Sequence, residues 1–321
     1  MVADDEKAAR KITGNGVAIG RTSMLRNWVA GALLIVALAF GCTVLSSMAV
    51  AGTLEDIKAR GKLIACVFAD YKPFGYYDAG GKHVGLDLDI ARLLAKALLG
   101  DENKVELVPV TSAERIPSLQ EKKVDMIIAT MTVTDERRKL VDFSDPYFLS
   151  GSLVLTSKSS TIRSLADLRG KTIGLLHGTV QVDDMEELAP TAERVGFDTS
   201  DEAVAALKSG QTDAYTDDDM FVITLVHDDA ELKAVGDPFK PRPLGIAVRK
   251  GETELLNWVN EQMSALRNDG TFDLLWKKYF GEVDAKLMRL KSAPSDQQAQ
   301  PAIARTPLPQ PAKQHKPAPK L

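Results

Sequence analysis

The sequence predicts an α/β protein built as two lobes. Between residues 53 and 281, short β-branched runs alternate with amphipathic helical patterns, which is typical of an open parallel sheet covered by helices. The alternation occurs twice along the chain, so we expect two sheets of similar construction. Because open α/β sheets bind ligands at the carboxyl ends of their strands, we expect a site in the cleft between the two sheets.

The first α/β unit begins with KLIACVFA, which predicts a strand. The next segment, DLDIARLLAKALLG, predicts an amphipathic helix that ends at Gly100. KVELVPV predicts a second strand, and residues 126–130 predict a third, buried one. The apolar face expected for the helix consists of Leu86, Ile90, Leu93, Leu94, Ala97 and Leu98.

The second unit repeats this order. SLADLRGKTIGLLHG predicts a short helix and a strand, and MEELAPTAERVGF predicts a further helical region. DEAVAALKSGQTDAYTDDD predicts a helix, a glycine turn and a strand, and PLGIAVRKG predicts another strand. The segment ELLNWVNEQMSALRNDGTFDLLWKKYF predicts a closing pair of helices that is broken at Asp269 and Gly270.

Arg137 stands where helix physics does not favour a cation. Thr134 is expected to cap a helix that starts at Asp135, which puts Arg137 at the third helical position, where a capping box would have Glu or Gln. Together with the hydroxyls of Thr130 and Thr132, the guanidinium predicts a site for an anion, carboxylate in particular. A surface ion pair between Arg137 and a neighbouring acid is the alternative.

Both ends of the chain differ in composition from the part between them. Residues 28–45 form an uncharged apolar run after two arginines, and Ala49-Val50-Ala51 follows as a cleavage pattern, so residues 1–51 are predicted to be a secretory signal peptide. A retained membrane anchor and lipid attachment at Cys42 are alternatives. Residues 284–321 are rich in Pro, Gln, Ala and Lys, and we expect a disordered tail there.

Charge and cysteine content exclude several classes of function. Residues 52–283 carry 28 basic and 39 acidic side chains, a formal charge of −11, which argues against a nucleic-acid partner. Cys66 would be the single cysteine of the mature chain and is expected to be a buried, inert thiol. The four histidines lack metal-ligand spacing, so no metal and no cofactor are predicted.

Five segments between residues 53 and 281 carry a likeness to a known family: DYKPFGYYDAGGKHVGLDLDIARLLAKAL, VPVTSAERIPSLQEKKVDMIIATMTVTDERRKLVDFSDPYF, SLADLRGKTIGLLHGT, ALKSGQTDAYTDDD and GIAVRKGETELLNWVNEQMSALRNDGTFDLLWKKYFG. In these segments the chain resembles the extracytoplasmic solute-binding proteins that serve amino-acid ABC importers. The resemblance implies a type II periplasmic binding protein fold with the ligand in the cleft between the lobes. It further implies a monomer located in the periplasm, with an amino-acid ligand and a membrane permease as partners. Lobe 1 is expected to comprise residues 52–148 and 243–283, and lobe 2 residues 149–242.

The resemblance also implies a role for individual residues. In that family an arginine at the position of Arg137 holds the α-carboxylate of the ligand, with help from the positions of Thr130 and Thr132. The second lobe adds the turn formed by Gly178 and Thr179, at a helix start. The next position often carries a second Thr in the family, whereas Val180 here offers only its N–H group.

The ammonium end and the apolar wall of the ligand site are assigned in the same way. Asp218 falls where the family keeps the carboxylate that binds the ligand's ammonium, although its neighbours Asp217 and Asp219 are also acidic. Tyr71 matches an aromatic residue that stacks over the ligand. Phe74 lies close to it, and both are equally compatible with a role in the core or as loop anchors.

The ligand side chain is expected to be that of glutamate, aspartate or glutamine. Arg115 is a candidate to pair with a side-chain carboxylate, and His177 is a candidate donor. Phe68 stands where some acidic-ligand members have an arginine, which counts against that mode. A structural ion pair of Arg115 with Glu114 or Glu121 is the alternative.

The mechanism implied is binding with closure of the lobes about crossings near residues 149–153 and 241–245. Two rivals are a periplasmic dehydratase of the same fold, acting on prephenate-like or arogenate-like acids, and a membrane-anchored amino-acid sensor.

Overall fold

The structure is a computed structural model that describes residues 53–281. The predicted signal peptide and the predicted tail lie outside these residues. The described chain forms two five-stranded sheets and a small three-stranded one. No helix within residues 53–281 is long and apolar enough to cross a bilayer.

The strands of the first sheet lie in the order β5 (Val105–Pro109), β1 (Leu63–Val67), β6 (Met126–Ile127), β13 (Ala247–Arg249) and β7 (Val141–Phe143). Strand β1 pairs in parallel with β5 and β6, whereas β13 runs antiparallel to β6 and β7. In chain order, residues 53–143 form α1 (Thr53–Arg60), β1 (Leu63–Val67), β2 (Asp70–Tyr71), β3 (Gly75–Tyr77), β4 (His83–Val84), α2 (Leu86–Leu99), β5 (Val105–Pro109), α3 (Arg115–Gln120), β6 (Met126–Ile127), α4 (Asp135–Leu140) and β7 (Val141–Phe143).

The strands of the second sheet lie in the order β10 (Glu193–Phe197), β9 (Thr172–Leu176), β11 (Ala214–Asp218), β8 (Phe148–Ser157) and β12 (Leu232–Leu244). Strands β10, β9 and β11 are parallel, and β8 runs antiparallel to both β11 and β12. Its elements are β8 (Phe148–Ser157), a 3-10 turn (Leu165–Leu168), β9 (Thr172–Leu176), α5 (Gln181–Leu188), β10 (Glu193–Phe197), α6 (Ser200–Ser209), β11 (Ala214–Asp218), α7 (Asp219–Asp228) and β12 (Leu232–Leu244). The chain then returns to the first sheet through β13 (Ala247–Arg249) and ends in α8 (Thr253–Asn268) and α9 (Thr271–Phe280).

The two chain crossings between the sheets lie side by side. Strand β8 leaves the first sheet and β12 returns to it, and they pair antiparallel with Leu149 opposite Pro243 and Phe148 opposite Leu244. The predicted crossing segments, residues 149–153 and 241–245, therefore fall mainly within paired strands. The division of the chain into lobes at residues 148 and 243 stays a prediction.

Several local predictions are confirmed. Helix α2 ends where expected, with Gly100 in the left-handed region at φ 77°. Thr134 caps α4, since its side chain accepts the N–H of Arg137 at 3.2 Å. The closing helices break at Gly270, which has φ 79°. Cys66 is buried, and burial raises the pKa of its thiol to about 12.

Other local predictions are wrong. The sheets are mixed, not parallel, because β13, β8 and β12 enter them antiparallel. Residues 193–197 are strand β10, since Pro190 stops the preceding helix and the edge position leaves Glu193 and Arg194 exposed, without an alternating apolar signature. On helix α2, Ala97 is exposed and Ala91 is buried in its place. The strand predicted over residues 126–130 stops after Ile127.

Candidate ligand-binding site

A cavity that opens to solvent lies between the two sheets, and the space in it, counted together with the adjoining solvent, is about 230 Å³. Its walls come from both sides of the cleft, at the carboxyl ends of strands. Phe68 directly follows β1, and Asp217 and Asp218 end β11. The residues that line it are Phe68, Tyr71, Ser112, Arg115, Thr130, Thr132, Arg137, Thr179, Gln181, Asp217 and Asp218.

Arg137 bridges the two sides of this cavity. Its guanidinium donates to the carbonyl of Thr132 at 2.8 Å on its own side and to the carbonyl of Gly178 at 2.8 Å on the other side. Burial and the nearby Arg115 charge lower the pKa of Arg137 to about 9, so the side chain keeps its charge at neutral pH. A guanidinium is a hydrogen-bond donor suited to a carboxylate, so Arg137 can bind an acidic group in the cavity.

Arg115 is buried and surrounded by carbonyl groups. It donates to Ser112 at 3.0 Å, to Ala129 at 2.8 Å and, across the cleft, to Gly178 at 3.3 Å. Its guanidinium also lies 5.2 Å from the centre of the Phe68 ring. The charge thus faces the cavity and is already held by the backbone on both sides.

The alternative ion pairs of Arg115 with Glu114 or Glu121 are wrong. Glu114 accepts the N–H and the hydroxyl of Thr111, at 2.8 and 2.9 Å. Glu121 pairs with Lys123 at 2.7 Å. Both acids belong to local surface contacts.

The three consecutive acids at the end of β11 have different partners. Asp217 accepts the hydroxyl of Tyr71 at 2.6 Å and also that of Tyr215. Asp219 accepts the hydroxyl of Ser150 at 2.9 Å. Asp218 lines the cavity and accepts the side-chain N–H of Gln181 at 2.9 Å.

Burial governs the electrostatics of this acidic end. It raises the pKa of Asp218, and the neighbouring Asp217 and Asp219 charges raise it further. Burial also raises the pKa of Asp217, although its two tyrosine donors oppose that shift. Two buried carboxylates beside each other bind a cation strongly, because an ammonium group relieves both their desolvation and their mutual repulsion.

Seven of the predicted site residues line the cavity, and four do not. Tyr71, Arg115, Thr130, Thr132, Arg137, Thr179 and Asp218 line it. Phe74 lies instead in the core, 5.6 Å from Phe148 and from Phe280 in ring-centre distance. Gly178 takes part only through its carbonyl, and buried Val180 precedes helix α5.

His177 and Thr179 are held by the second sheet. The exposed His177 donates its backbone N–H to Phe197 at 3.0 Å, and its ring covers Gly196. The hydroxyl of Thr179 donates to the carbonyl of Leu176 at 2.8 Å. This hydroxyl therefore closes its own turn in the structure, although Thr179 still lines the cavity.

Sequence reasoning missed the roles of Phe68, Ser112, Gln181 and Asp217 in the lining. Phe68 and Ser112 follow β1 and β5 closely. Because ligands bind at the carboxyl ends of strands, their positions could have been predicted to lie at the site. Gln181 starts α5, and nothing in the local sequence indicates that its amide reaches Asp218. Within residues 53–281, no group of three His, Cys, Asp or Glu side chains is arranged to hold a metal ion.

The fold and the cavity define a two-lobed α/β binding protein of the type II periplasmic class. The chain belongs to the bacterial extracellular solute-binding proteins, family 3, whose pattern matches residues 63–282.

Among its relatives, the ABC transporter glutamine-binding protein GlnH of Bacillus subtilis is 39% identical over 236 residues, which cover 73% of this chain and 86% of that protein. The glutamine-binding protein of Geobacillus stearothermophilus is 44% identical over 200 residues, covering 62% and 76%. A crystal structure of AncCDT-1, an ancestral amino acid-binding protein and precursor of cyclohexadienyl dehydratase, superposes with a TM-score of 0.67. It is 39% identical in sequence, and the match covers 71% of this chain and 99% of that one. Other relatives are named as cystine-, arginine- and histidine-binding proteins.

Proposed function

We propose that this protein binds a polar amino acid outside the cytoplasmic membrane, with L-glutamine as its preferred ligand, and delivers it to the permease of an ABC importer. On this proposal it is not an enzyme, it acts as a monomer, and residues 1–51 direct it across the membrane. The names of the glutamine-binding relatives and the family to which the chain belongs support this assignment.

The observation that carries the proposal is the separation of charge within one cavity. Arg137 and Arg115 enter it from the first-sheet side, and Asp218 enters it from the second-sheet side. An α-amino acid carries a carboxylate and an ammonium on the same carbon atom, so it can engage both ends at once. Arg137 is assigned to the carboxylate and Asp218 to the ammonium.

The hydrogen bonds across the cleft support closure around the ligand. Arg137 and Arg115 both donate to Gly178, and Tyr71 donates to Asp217. On this proposal, the ligand carboxylate replaces the carbonyl of Gly178 as an acceptor for Arg137. Contacts made only in the closed form then supply the free energy of closure.

The charge of the lining favours glutamine over glutamate and aspartate. The cavity presents two arginines and two aspartates, so its formal charge is zero. Glutamine is a neutral zwitterion and leaves that balance intact, whereas glutamate adds an uncompensated negative charge. Arg115 is also fully occupied by carbonyl groups, which weakens its case as the partner of a side-chain carboxylate.

A dehydratase acting on prephenate-like or arogenate-like acids is the second candidate. Burial raises the pKa of Asp218, which favours a protonated acid that could assist the departure of a hydroxyl group. The likeness to a precursor of such an enzyme points the same way.

A screen against all common amino acids tests the proposal. Thermal shift and then calorimetry on the mature protein are expected to give the tightest binding for L-glutamine, with weaker binding of L-glutamate and L-aspartate. Absence of binding to every amino acid would refute the assignment. Formation of an aromatic product from prephenate or arogenate, followed by absorbance, would favour the dehydratase instead.

A further inference from the structure

Thr130 lines the cavity with a backbone conformation that its residue type disfavours. Its φ is 40°, in the left-handed region, where a β-branched side chain is rarely found. Such a conformation persists only when its surroundings fix it, and it tends to occur at functional sites.

A buried carboxylate holds this backbone in place. Asp87, on helix α2, accepts the N–H of Thr130 at 3.1 Å. On the other side of Thr130, Arg115 donates to the carbonyls of Ala129 at 2.8 Å and of Thr130 at 3.4 Å. The backbone of Ala129 and Thr130 is therefore hydrogen-bonded by Asp87 on one side and by Arg115 on the other.

Asp87 itself has no contact with the cavity. It is 0% exposed and does not belong to the residues that line the cavity. Burial raises the pKa of Asp87 to about 7, against the effect of its hydrogen bonds with Thr130 and Tyr147. Strongly perturbed acids cluster at functional sites, and Asp87 lies one hydrogen bond away from a residue that lines the cavity.

The second oxygen of Asp87 reaches the chain crossing. It accepts the hydroxyl of Tyr147 at 3.0 Å, and the backbone N–H of Tyr147 donates to Leu244 at 2.9 Å. Tyr147 directly precedes β8, and Leu244 ends β12. Asp87 thus joins the cavity loop to the two strands that cross between the sheets.

We infer that Asp87 is a positioning residue for ligand binding, which acts through the N–H of Thr130 and fixes the loop of Thr130 and Thr132 against the crossing strands. This inference rests on the proposed function, since the loop is assigned to the ligand carboxylate. Asp87 itself makes no contact with the ligand.

The test compares three variants by calorimetry with L-glutamine. Asp87→Ala removes the buried carboxylate that accepts the N–H of Thr130, and we expect affinity to fall about tenfold or more. Asp87→Asn keeps an acceptor for Thr130 and can donate to the Tyr147 oxygen, so we expect affinity within about threefold of wild type.

Asp125→Ala is the matched control. Asp125, the residue before β6, is a buried aspartate that accepts the N–H of Ile64 at 2.8 Å and pairs with Arg60, and it does not line the cavity. Its loss should lower the melting temperature and leave the affinity unchanged. Asp87→Ala should lower both.

Three results would overturn the inference: wild-type affinity in Asp87→Ala, an equal loss in Asp87→Ala and Asp125→Ala, or a loss in Asp87→Asn as large as in Asp87→Ala. Hydrogen exchange of the wild-type protein serves if Asp87→Ala does not fold. Slow exchange of the Thr130 amide is expected, and exchange at the rate of an unprotected amide would refute the bond to Asp87. If the wild-type protein binds no amino acid, both the proposed function and this inference are refuted.

Discussion

The hydroxyl of Tyr71 donates a 2.6 Å hydrogen bond to the buried carboxylate of Asp217, from strand β2 to the end of the second sheet. The ring of Tyr71 stacks on Phe221 with 4.0 Å between ring centres. On either side of Tyr71, Asp70 accepts the N–H of Ser200 at 2.7 Å and Lys72 pairs with Asp228 at 2.6 Å. Residues 70–72, in and directly after β2, therefore all make polar contacts with residues of the second sheet and its helices.

Tyr71→Phe should weaken glutamine binding about tenfold, because a hydrogen bond to a charged acceptor contributes roughly 1.5–3 kcal/mol. The stacking on Phe221 is kept, so the variant should still fold. Calorimetry measures the affinity, with Tyr77→Phe as the control, since Tyr77 is exposed. Unchanged affinity in Tyr71→Phe would mean that this bond does not stabilise the bound form.

Arg137→Ala should lower the affinity for every amino acid that binds, by a factor of about 30 or more, since removing one partner of a buried charge pair costs about 2–5 kcal/mol. The neighbouring Arg138→Ala provides the control on the same helix. Arg138 lies 5.8 Å from the Phe143 ring and does not line the cavity. If both variants bind glutamine equally well, the assignment of Arg137 to the carboxylate is wrong.

Asp218→Asn should weaken glutamine binding and also remove the preference for an amine. The variant keeps an oxygen for Gln181 but loses the negative charge that faces the ammonium. We expect wild type to prefer glutamine over the analogue with a hydroxyl group in place of the ammonium. This preference should shrink in Asp218→Asn and stay intact in Asp237→Asn, an exposed aspartate on β12. A preference that survives Asp218→Asn would place the ammonium elsewhere.

The features that the sequence predicted correctly are local ones, such as helix caps and helix ends. The cap at Thr134 and the third-position Arg137 depend on four consecutive residues, and the structure has them as expected. The glycine breaks at Gly100 and Gly270 are equally local. Such features follow from backbone geometry that a short segment dictates by itself.

What the sequence could not predict depends on distant contacts. The hydroxyl of Thr179 turns to Leu176, and the amide of Gln181 reaches Asp218, 37 residues away. Phe74 is placed in the core by Phe148 and Phe280, which come from remote parts of the chain. No local pattern encodes which of two neighbouring aromatics, Tyr71 or Phe74, faces the cleft.

Arg242 and Asp184 provide a stability prediction outside the cavity. Asp184, on helix α5, is 1% exposed at its side chain and accepts two hydrogen bonds from Arg242 on β12, at 2.8 and 2.6 Å. The pair ties the helix that begins with Gln181 to one of the crossing strands. Burial alone would raise the pKa of Asp184, but the hydrogen bonds and charge of Arg242 outweigh burial and hold this pKa below its usual range.

Arg242→Met should therefore destabilise the protein in a pH-dependent way. A carboxylate whose pKa is lower in the folded than in the unfolded state stabilises the fold above pH of about 4 and loses that contribution as the pH falls through the folded pKa. At pH 7 we expect a loss of about 2 kcal/mol, below the 3–5 kcal/mol typical of a broken buried pair. The reason is that Arg242 is 26% exposed and Lys240 remains 3.4 Å from Asp184.

Urea unfolding at pH 7 and at pH 3 measures this difference. The gap between wild type and Arg242→Met should narrow at pH 3, because Asp184 is then more easily protonated in the variant and no longer leaves a buried charge unpaired. Lys58→Met, which removes only an exposed pair with Glu55, should stay close to wild type at both values of pH. A loss in Arg242→Met that is the same at pH 7 and pH 3 would mean that packing of the arginine stem, and not its charge, stabilises the contact between α5 and β12.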